Sequence, residues 1–507
     1  MWAVALAANI SLWMNDVSAA WLMSTLTNDP LWIGLVQTAT MLPVFLLGLP
    51  SGALADGLDR RRFLLGTQLW ISLTAMALGA TALLGWMSPA LLLGLLFLNG
   101  IGLAMRMPVL AALLPEIVPR PQLPAATALG AVSMNASRIV GPIAAGALIA
   151  TVGTAFVFGI NAVLSLLAAG MLLRWTWHER KSPLGRERLH RAMRVGLQYV
   201  AHSHRLKGVL LRMGLFFLCT SSLMALLPLL AKRLGGGAWT FTFLIASMGA
   251  GAVVSNTWLP RLRHRFSSDG LVLRGTIAQA LSILGMAWAD SLWMGMGLMV
   301  LAGAAWITTG NTLSVASQLG LPDWVRARGV SISQVTLMGA SAAGAALWGQ
   351  MASLHGVAWS LVCATVLLVA GMVAVQLLWP DAGVHEDLTP TSLDRKPTTA
   401  PAANGHVLME IEYVVDPERA ESFLDLMQGD NRSSRLRHGA LSWELLQDLG
   451  QPSRFVETVV DASWTDHLRH FERLSVSDLR LRERRLAFHV GPAEPAVRRY
   501  LLTSTVK

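Results

Sequence analysis

Two ionisable residues stand inside long apolar runs: Asp16, next to Asn15, and Arg138, three residues after Asn135. A charge in the middle of a hydrocarbon layer costs at least about 2.5 kcal/mol on insertion scales, so such residues line a water-filled cavity or find a partner. The chemistry they suit is binding. A carboxylate there can take up a proton or a cationic group, and a guanidinium can hold an anion or pair with that carboxylate. The alternatives are a carboxylate near the outer rim and an arginine that braces backbone carbonyls. Asn311 and Gln318 add polar positions to a later apolar run, and Arg106 falls at the end of an earlier one. Other chemistry has little footing. Cys219 and Cys363 sit in apolar runs without a CxxC or Cys/His spacing, so no metal and no redox role is expected. No G-x-x-x-x-G-K-[S/T] stretch is present, so neither a nucleotide motor nor any cofactor is expected.

The elements that must position these residues are read from composition. Of 507 residues, 53% are hydrophobic and 14% charged, about half the charge of an ordinary soluble domain. Residues 1–404 hold 26 Lys+Arg against 14 Asp+Glu, whereas residues 405–507 hold 14 against 16. A membrane part therefore precedes a soluble one, which excludes a soluble enzyme as the whole protein. A crossing helix needs about 20 mostly apolar residues. Twelve such runs are expected, at 2–25, 31–53, 63–86, 90–110, 124–150, 154–176, 208–231, 238–260, 270–289, 291–317, 327–352 and 357–379. The fold class is thus an all-α polytopic membrane protein of two parallel six-helix halves, 1–176 and 208–379, joined by a basic loop at 177–207. A linker at 380–404 leads to a small α+β domain at 405–507.

Basic residues in short loops set orientation. Arg60–Arg62, the nine Lys and Arg from Arg174 to Lys207, Arg261 to Arg265, and Arg326 with Arg328 mark one side. The loops near Asn28, Ser88, Gly153, Asp290 and His355 lack Lys and Arg, and only Lys232 and Arg233 break the pattern. Both termini are expected in the cytoplasm, with the protein in the inner or plasma membrane. Residues 1–25 have no basic leader segment and read as a first span rather than a signal peptide. Residues 186–207 read as a basic amphipathic helix, with Leu189, Met193, Leu197 and Val200 on a face expected to lie on anionic lipid. The pI is high, but its charge lies in loops between spans, so no nucleic acid is expected.

The chain also repeats. An offset of 203 pairs Gly48 with Gly251, Gly100 with Gly303, Gly141 with Gly344, Gly146 with Gly349 and Gly153 with Gly356. Six spans per repeat give both halves one orientation, with a substrate site expected between them.

Gly52-Ala-Leu-Ala-Asp56-Gly-Leu-Asp59-Arg60-Arg61-Arg62 closes the second run. It resembles the signature between spans 2 and 3 of the major facilitator superfamily, with Gly57 and Asp59 as departures. The resemblance implies that Gly52, Asp56, Arg60, Arg61 and Arg62 gate the cytoplasmic side. Asn135-x-x-Arg138-x-x-Gly141-Pro142-x-x-x-Gly146 partly matches the glycine-rich motif of drug:proton antiporters, where Gly141, Pro142 and Gly146 serve helix packing. The superfamily's usual span-4 arginine is missing from residues 91–98. Leu31-Trp-Ile-Gly-Leu-Val36, Leu113-Leu-Pro-Glu-Ile-Val-Pro119 and the soluble tail resemble the branch holding enterobactin-type exporters and transmembrane secretion effectors. Members usually carry a short basic cytoplasmic leader before span 1; here Met1 and Trp2 already belong to the span, so the expectation is either a lost leader or a misassigned start. The resemblance implies alternating access, a small siderophore-like or hydrophobic drug-like substrate, and protons as the coupling ion. Asn15, Asp16, Asn135, Arg138, Asn311 and Gln318 are the expected pathway residues.

The tail alternates over His406–Val415, with Val407, Met409, Ile411 and Tyr413 on one face. A helix follows from Pro417, then strands around Leu441–Leu445 and Phe455–Val460, a helix around Trp464–Phe471, and a strand at Val497–Leu502. This β-α-β-β-α-β order is ferredoxin-like. With Ser463-Trp464-x-x-His467-Leu-Arg-x-x-x-Arg473, it resembles antibiotic-biosynthesis-monooxygenase-type domains. Such domains often pair through their sheets, so a homodimer through the tail is expected. His438, His467 and His470 could serve as a base, but no nucleophile or metal spacing accompanies them, so the chain is expected not to be an enzyme. The alternative is a membrane-anchored monooxygenase acting on the transported compound. From the gating motif, Asp56→Asn is expected to lower flux several-fold while leaving membrane insertion intact. Wild-type flux from correctly inserted Asp56→Asn protein counts against that role.

Overall fold

The computed structural model describes residues 2–57, 60–117, 122–174, 189–379, 387–391 and 405–503. Within those helices, the side chains of 2–5, 49, 52–57, 60, 107–108, 110–117, 123–128, 131–132, 135, 174, 189–192, 323 and 327 lie outside the description. The chain forms two compact units: residues 1–183, 210–315 and 333–378, and residues 184–209, 316–332 and 379–507.

In hydrocarbon a backbone has no partner but itself, so apolar runs of this length fold as helices. Before the tail these are α1 (Trp2–Leu26), α2 (Pro30–Gly57), α3 (Arg60–Leu83), α4 (Pro89–Ile117), α5 (Leu123–Thr151) and α6 (Thr154–Arg174). A short α7 (Leu189–His202) follows, then α8 (His204–Arg233), α9 (Ala238–Arg265), α10 (Ser268–Ala287), α11 (Leu292–Leu319), α12 (Asp323–His355) and α13 (Val357–Leu378). Among the described residues, ten helices are long and apolar enough to cross a membrane. The chain is a multi-pass membrane protein.

Lipid supplies no hydrophobic drive between helices, so small residues that let backbones touch hold such a bundle together. In the first unit α2 packs on α4, α3 on α6, α1 on α5 and α5 on α9. Gly100 of α4 rests on the Thr40 carbonyl and Pro43 of α2, and Gly303 of α11 rests in the same way on the Met248 carbonyl of α9. Gly141 of α5 lies on Trp13 of α1, and Gly344 of α12 on the Leu218 carbonyl of α8. The turns α5–α6 and α12–α13 use Gly153 at φ 92° and Gly356 at φ 91°, a left-handed conformation that favours glycine. Residues 203 apart thus take equivalent places. The two helix sets meet where Gly34 of α2 abuts the Ala345 carbonyl and Gly349 of α12, and where Gly146 of α5 abuts Thr242 of α9.

The second unit centres on a four-stranded antiparallel sheet of β1 (His406–Val414), β2 (Ser442–Gln447), β3 (Arg454–Asp461) and β4 (Ala496–Leu502), in the order β2-β3-β1-β4. Alternate residues of β1 are buried, and Met409, Ile411 and Tyr413 pack with Phe423, Met427, Phe455 and Val459. The segment after Pro417 runs from a 3-10 turn through α14 (Ala420–Leu426) and a π-helical stretch into α15 (Arg432–Arg437). After β3 come α16 (Trp464–Glu472) and α17 (Val476–Leu486). The sequence reading does not anticipate α17, although Ser475 and Asp478 form the capping box that starts it. Residues 387–391, read as linker, bond to this domain. Thr391 N donates to Leu474 O, and Val476 N donates to Thr389 O.

The domain buries one carboxylate completely. Glu457, at 0% exposure, accepts from Arg435 Nε (3.0 Å) and Nη2 (3.2 Å), Asn431 (2.7 Å), Trp443 Nε1 (2.9 Å) and Tyr413 OH (3.2 Å). Burial alone would raise its pKa; Arg435 and Arg485 outweigh that and bring it down to about 2, from an ordinary 4.5. A depressed carboxylate lends stability that is whole above its unfolded pKa and is lost as pH falls through its folded one. The C-terminal domain of the full chain is therefore expected to weaken progressively from pH 4.5 towards 2. Glu457→Ala, which strands buried arginine charge, is expected to cost about 3–5 kcal/mol at neutral pH. Hydrogen exchange of β1 and β3 amides, corrected for intrinsic rate, measures both. Protection that stays level across that acid range speaks against Glu457 as the source.

Candidate substrate pathway

Around Arg138, α5 is fastened on two sides. Gly141, one turn on, seats it against α1, and Gly249 of α9 fits against the Arg138 carbonyl. Its guanidinium lies 4.4 Å from the Trp306 ring centroid and 5.9 Å from that of Trp13. Among the described residues, Arg138 Nε and Nη1 and the neighbouring Trp13 Nε1 are buried without a hydrogen-bond partner. A buried donor left unpaired costs free energy, so a group of donors without an acceptor is poised for one that arrives from outside. Two aromatic faces and a cation suit an anion or a flat oxygen-bearing group.

The other expected pathway residues separate into different settings. Asn15, 3% exposed, is already used: Ser11 Oγ donates to Asn161 Oδ1 (2.8 Å), and Asn161 Nδ2 donates to Asn15 Oδ1 (3.2 Å). That chain ties α1 to α6. Asp16, the next residue, is half-buried and has no hydrogen bond or ion pair to another described residue, Arg138 included. Asn311 approaches Asn256 Oδ1 at 3.5 Å, linking α11 to α9. Gln318 lies in the second unit, exposed, and its carbonyl accepts from Leu321 N. The side chain of Asn135 lies outside the described residues. So do those of Gly52, Asp56 and Arg60 in the gating motif. Arg61 donates to the carbonyls of Leu172 (2.9 Å) and Leu173 at the end of α6, while Arg62 is exposed. Pro142 lies inside α5 between its two packing glycines.

Trp13, Trp306 and Asn161 carry no sequence signal that separates them from the many other aromatic and amide residues here. Lys232 and Arg233 do carry one, as exceptions to the basic-loop pattern. At the end of α8, Lys232 Nζ donates to the Ser24 carbonyl and to Asn28 Oδ1 (3.0 Å) at the end of α1. Arg233 donates to the carbonyls of Met286 (2.7 Å), Ala287 (2.8 Å) and Ala289 (3.2 Å) at the end of α10. Cations satisfy the open carbonyls of helix C-termini and complement their dipoles. The two residues therefore fasten three helix ends on one side of the bundle.

A helical membrane bundle with repeated packing, an interior cationic site and fastened helix ends is a membrane transporter of the major facilitator type. The transmembrane secretion effector profile matches residues 1–506, and the chain belongs to that family. It is 21% identical over 326 residues to the staphyloferrin A transporter of Staphylococcus aureus, covering 63% of this chain and 81% of that one. It is 26% identical over 308 residues to the enterobactin exporter EntS of Shigella boydii, covering 60% and 72%. The fold is similar to that of a bacterial homologue of the human lysosomal transporter Spinster in an inward-facing, occupied conformation. There the TM-score is 0.60 at 16% identity, over 74% of this chain and 94% of the other. These relatives are transporters, and this protein is a transporter rather than an enzyme.

Lys232→Ala removes the tie between α8 and α1. A cysteine replacing Ser24, in a chain without Cys219 and Cys363, is then expected to react several-fold faster with an impermeant thiol reagent added on the Asn28 side. Equal rates with and without Lys232 sink the role as a fastening.

Proposed function

We propose that the protein is a proton-coupled exporter that moves a small, oxygen-rich anion of the siderophore class by alternating access. The observation that carries this reading is the donor group at Arg138 Nε, Arg138 Nη1 and Trp13 Nε1, buried, partnerless among the described residues and flanked by Trp306. Such a site has N–H groups and no acceptor, so it favours a ligand that brings acceptors. The names of two relatives, a staphyloferrin A transporter and an enterobactin exporter, agree with it. Asp16 is the proposed proton carrier, supported by its half-buried place on α1 without a described partner.

In this reading α1 and α5 join the ten apolar helices to give twelve crossings, with both termini and the basic loops in the cytoplasm. Lys232 then fastens the outer ends of α1 and α8 to each other. The tail is a ferredoxin-like domain, which its strand order supports.

Inside-out vesicles test the reading, with enterobactin and staphyloferrin A as anionic probes and a neutral hydrophobic dye as control. Uptake of an anionic probe driven by an imposed pH gradient is expected. Arg138→Lys keeps the charge but lacks the planar fork, and is expected to weaken probe binding about tenfold or more. Arg138→Ala is expected to abolish uptake. Uptake of the dye alone, or unchanged anion flux in Arg138→Ala, overturns the assignment.

A further inference from the structure

Trp324 stands in the first turn of α12, and its indole is gripped from three directions within the second unit. The Arg473 guanidinium lies 4.6 Å from its ring centroid, the His438 ring stacks at 6.1 Å and 29°, and Tyr199 of α7 meets it edge-on at 5.9 Å. The C-terminal domain holds the grip ready. Arg473 Nη1 donates to the His438 carbonyl (2.8 Å), His438 Nδ1 lies 2.7 Å from Ser434 O, and His438 Nε2 lies 3.3 Å from Asp478 Oδ2. Arg473, His438 and Asp478 thus form a rigid seat, built from α15, α17 and the turns beside them, that needs nothing from Trp324.

A seam runs on from the seat along α7. Gly439 adopts φ 106°, and a Cβ there would come within 3.0 Å of Val195 Cγ2, so α7 touches this turn with little room to spare. Gln198 Nε2 donates to the Ala440 carbonyl (3.2 Å), and Tyr199 OH donates to the Gly320 carbonyl (3.3 Å) in the α11–α12 turn. The seam uses a different face of α7 from the one expected to meet lipid. Val195 and Tyr199 are buried in this seam, whereas Leu197 is 50% exposed.

The seam is built to come apart. Beside the apolar contact of Val195 with Gly439 it includes ring faces and single hydrogen bonds, the polar make-up of contacts that exchange. Trp324 Nε1 and Gln198 Oε1 are buried in it without partners among the described residues, and water would satisfy both once it opened. What it holds matters for transport. α12 is one helix from Asp323 to His355, and its later residues carry the contacts of Gly34 and Thr38 of α2 with Ala345 and Ala342.

We propose that the C-terminal domain is an autoinhibitory clasp. By seating Trp324 between Arg473 and His438 it holds the start of α12 to α7, and the clasp opens before the bundle can change its open side. Through α12, the domain governs the transporter without taking part in substrate binding.

The test needs no substrate. Full-length protein without Cys219 and Cys363, in liposomes, carries a reporter cysteine either at Ala440, in the seam, or at Ser24, at the far helix ends. Trp324→Ala is expected to speed thiol labelling at both places several-fold, while Trp324→Phe, which keeps a ring in the seat, stays near the starting rates. A disulfide between Gln198→Cys and Ala440→Cys is expected to suppress labelling at Ser24→Cys, and reductant to restore it. Labelling at Ala440→Cys that ignores Trp324→Ala means Trp324 does not fasten the seam. Faster labelling there without a change at Ser24→Cys makes the contact a strut, and both results overturn the proposal. If Trp324→Ala does not fold, the disulfide decides alone: unchanged Ser24→Cys labelling in the oxidised protein refutes the clasp.

Discussion

Hydrocarbon offers a polar group no partner, and most features of the first unit follow from that. Backbone groups pair within helices, and the helices then need another means of association, which glycine supplies by letting a neighbour's carbonyl approach. Polar side chains obey the same rule. Ser11, Asn15 and Asn161 satisfy one another between α1 and α6, and Ser72 donates to the Ala162 carbonyl between α3 and α6. Against that thrift, the unpaired donors of Arg138 and Trp13 are conspicuous. Gln37, Gln68, Arg106 and Gln279 also hold buried unpaired atoms, but Arg138 and Trp13 bring their N–H groups together, with the Trp306 ring beside them.

The C-terminal domain solves the same problem with charge instead of glycine. Glu457 lies at the centre of a network that fixes β3, β1, β2 and the helical segment after Pro417 to one another. Asp461 and Asp478 repeat the device with histidines as partners. Against the pull of burial, His470 and His467 hold Asp461, and His438 holds Asp478, well below the ordinary carboxylate range. Breaking such a pair leaves a buried charge alone, so the network specifies a single arrangement. A seat for Trp324 can be rigid only on a scaffold of this kind.

Elements written in runs of twenty apolar residues, or in alternating strands, were legible in the sequence because one periodicity decides them. The helices before the tail and the four strands are of this sort. Partnerships across the fold were not. Asp16 and Arg138, opposite charges in apolar runs, invite pairing, yet one keeps company with indoles and the other has no described partner. Asn15 reads as a pathway residue, and its hydrogen bond from Asn161, 146 positions away, has no sequence signal. On α7, amphipathic periodicity shows that a face will be covered and does not say whether lipid or protein covers it. The cationic outliers Lys232 and Arg233 were visible as anomalies, and only the helix ends around them explain why they are there.

The attachment of residues 387–391 to Leu474–Ser477 shortens the leash on the C-terminal domain. Only residues 380–386 separate that attachment from Trp379, which itself packs on Gly208 and His204. Seven residues reach at most about 25 Å, whatever their conformation. A partner on so short a tether is present at an effective concentration in the millimolar range, where a contact that would be negligible between separate molecules is mostly engaged. On such a tether, ring faces and single hydrogen bonds hold Trp324 far more firmly than the same contacts would between separate molecules.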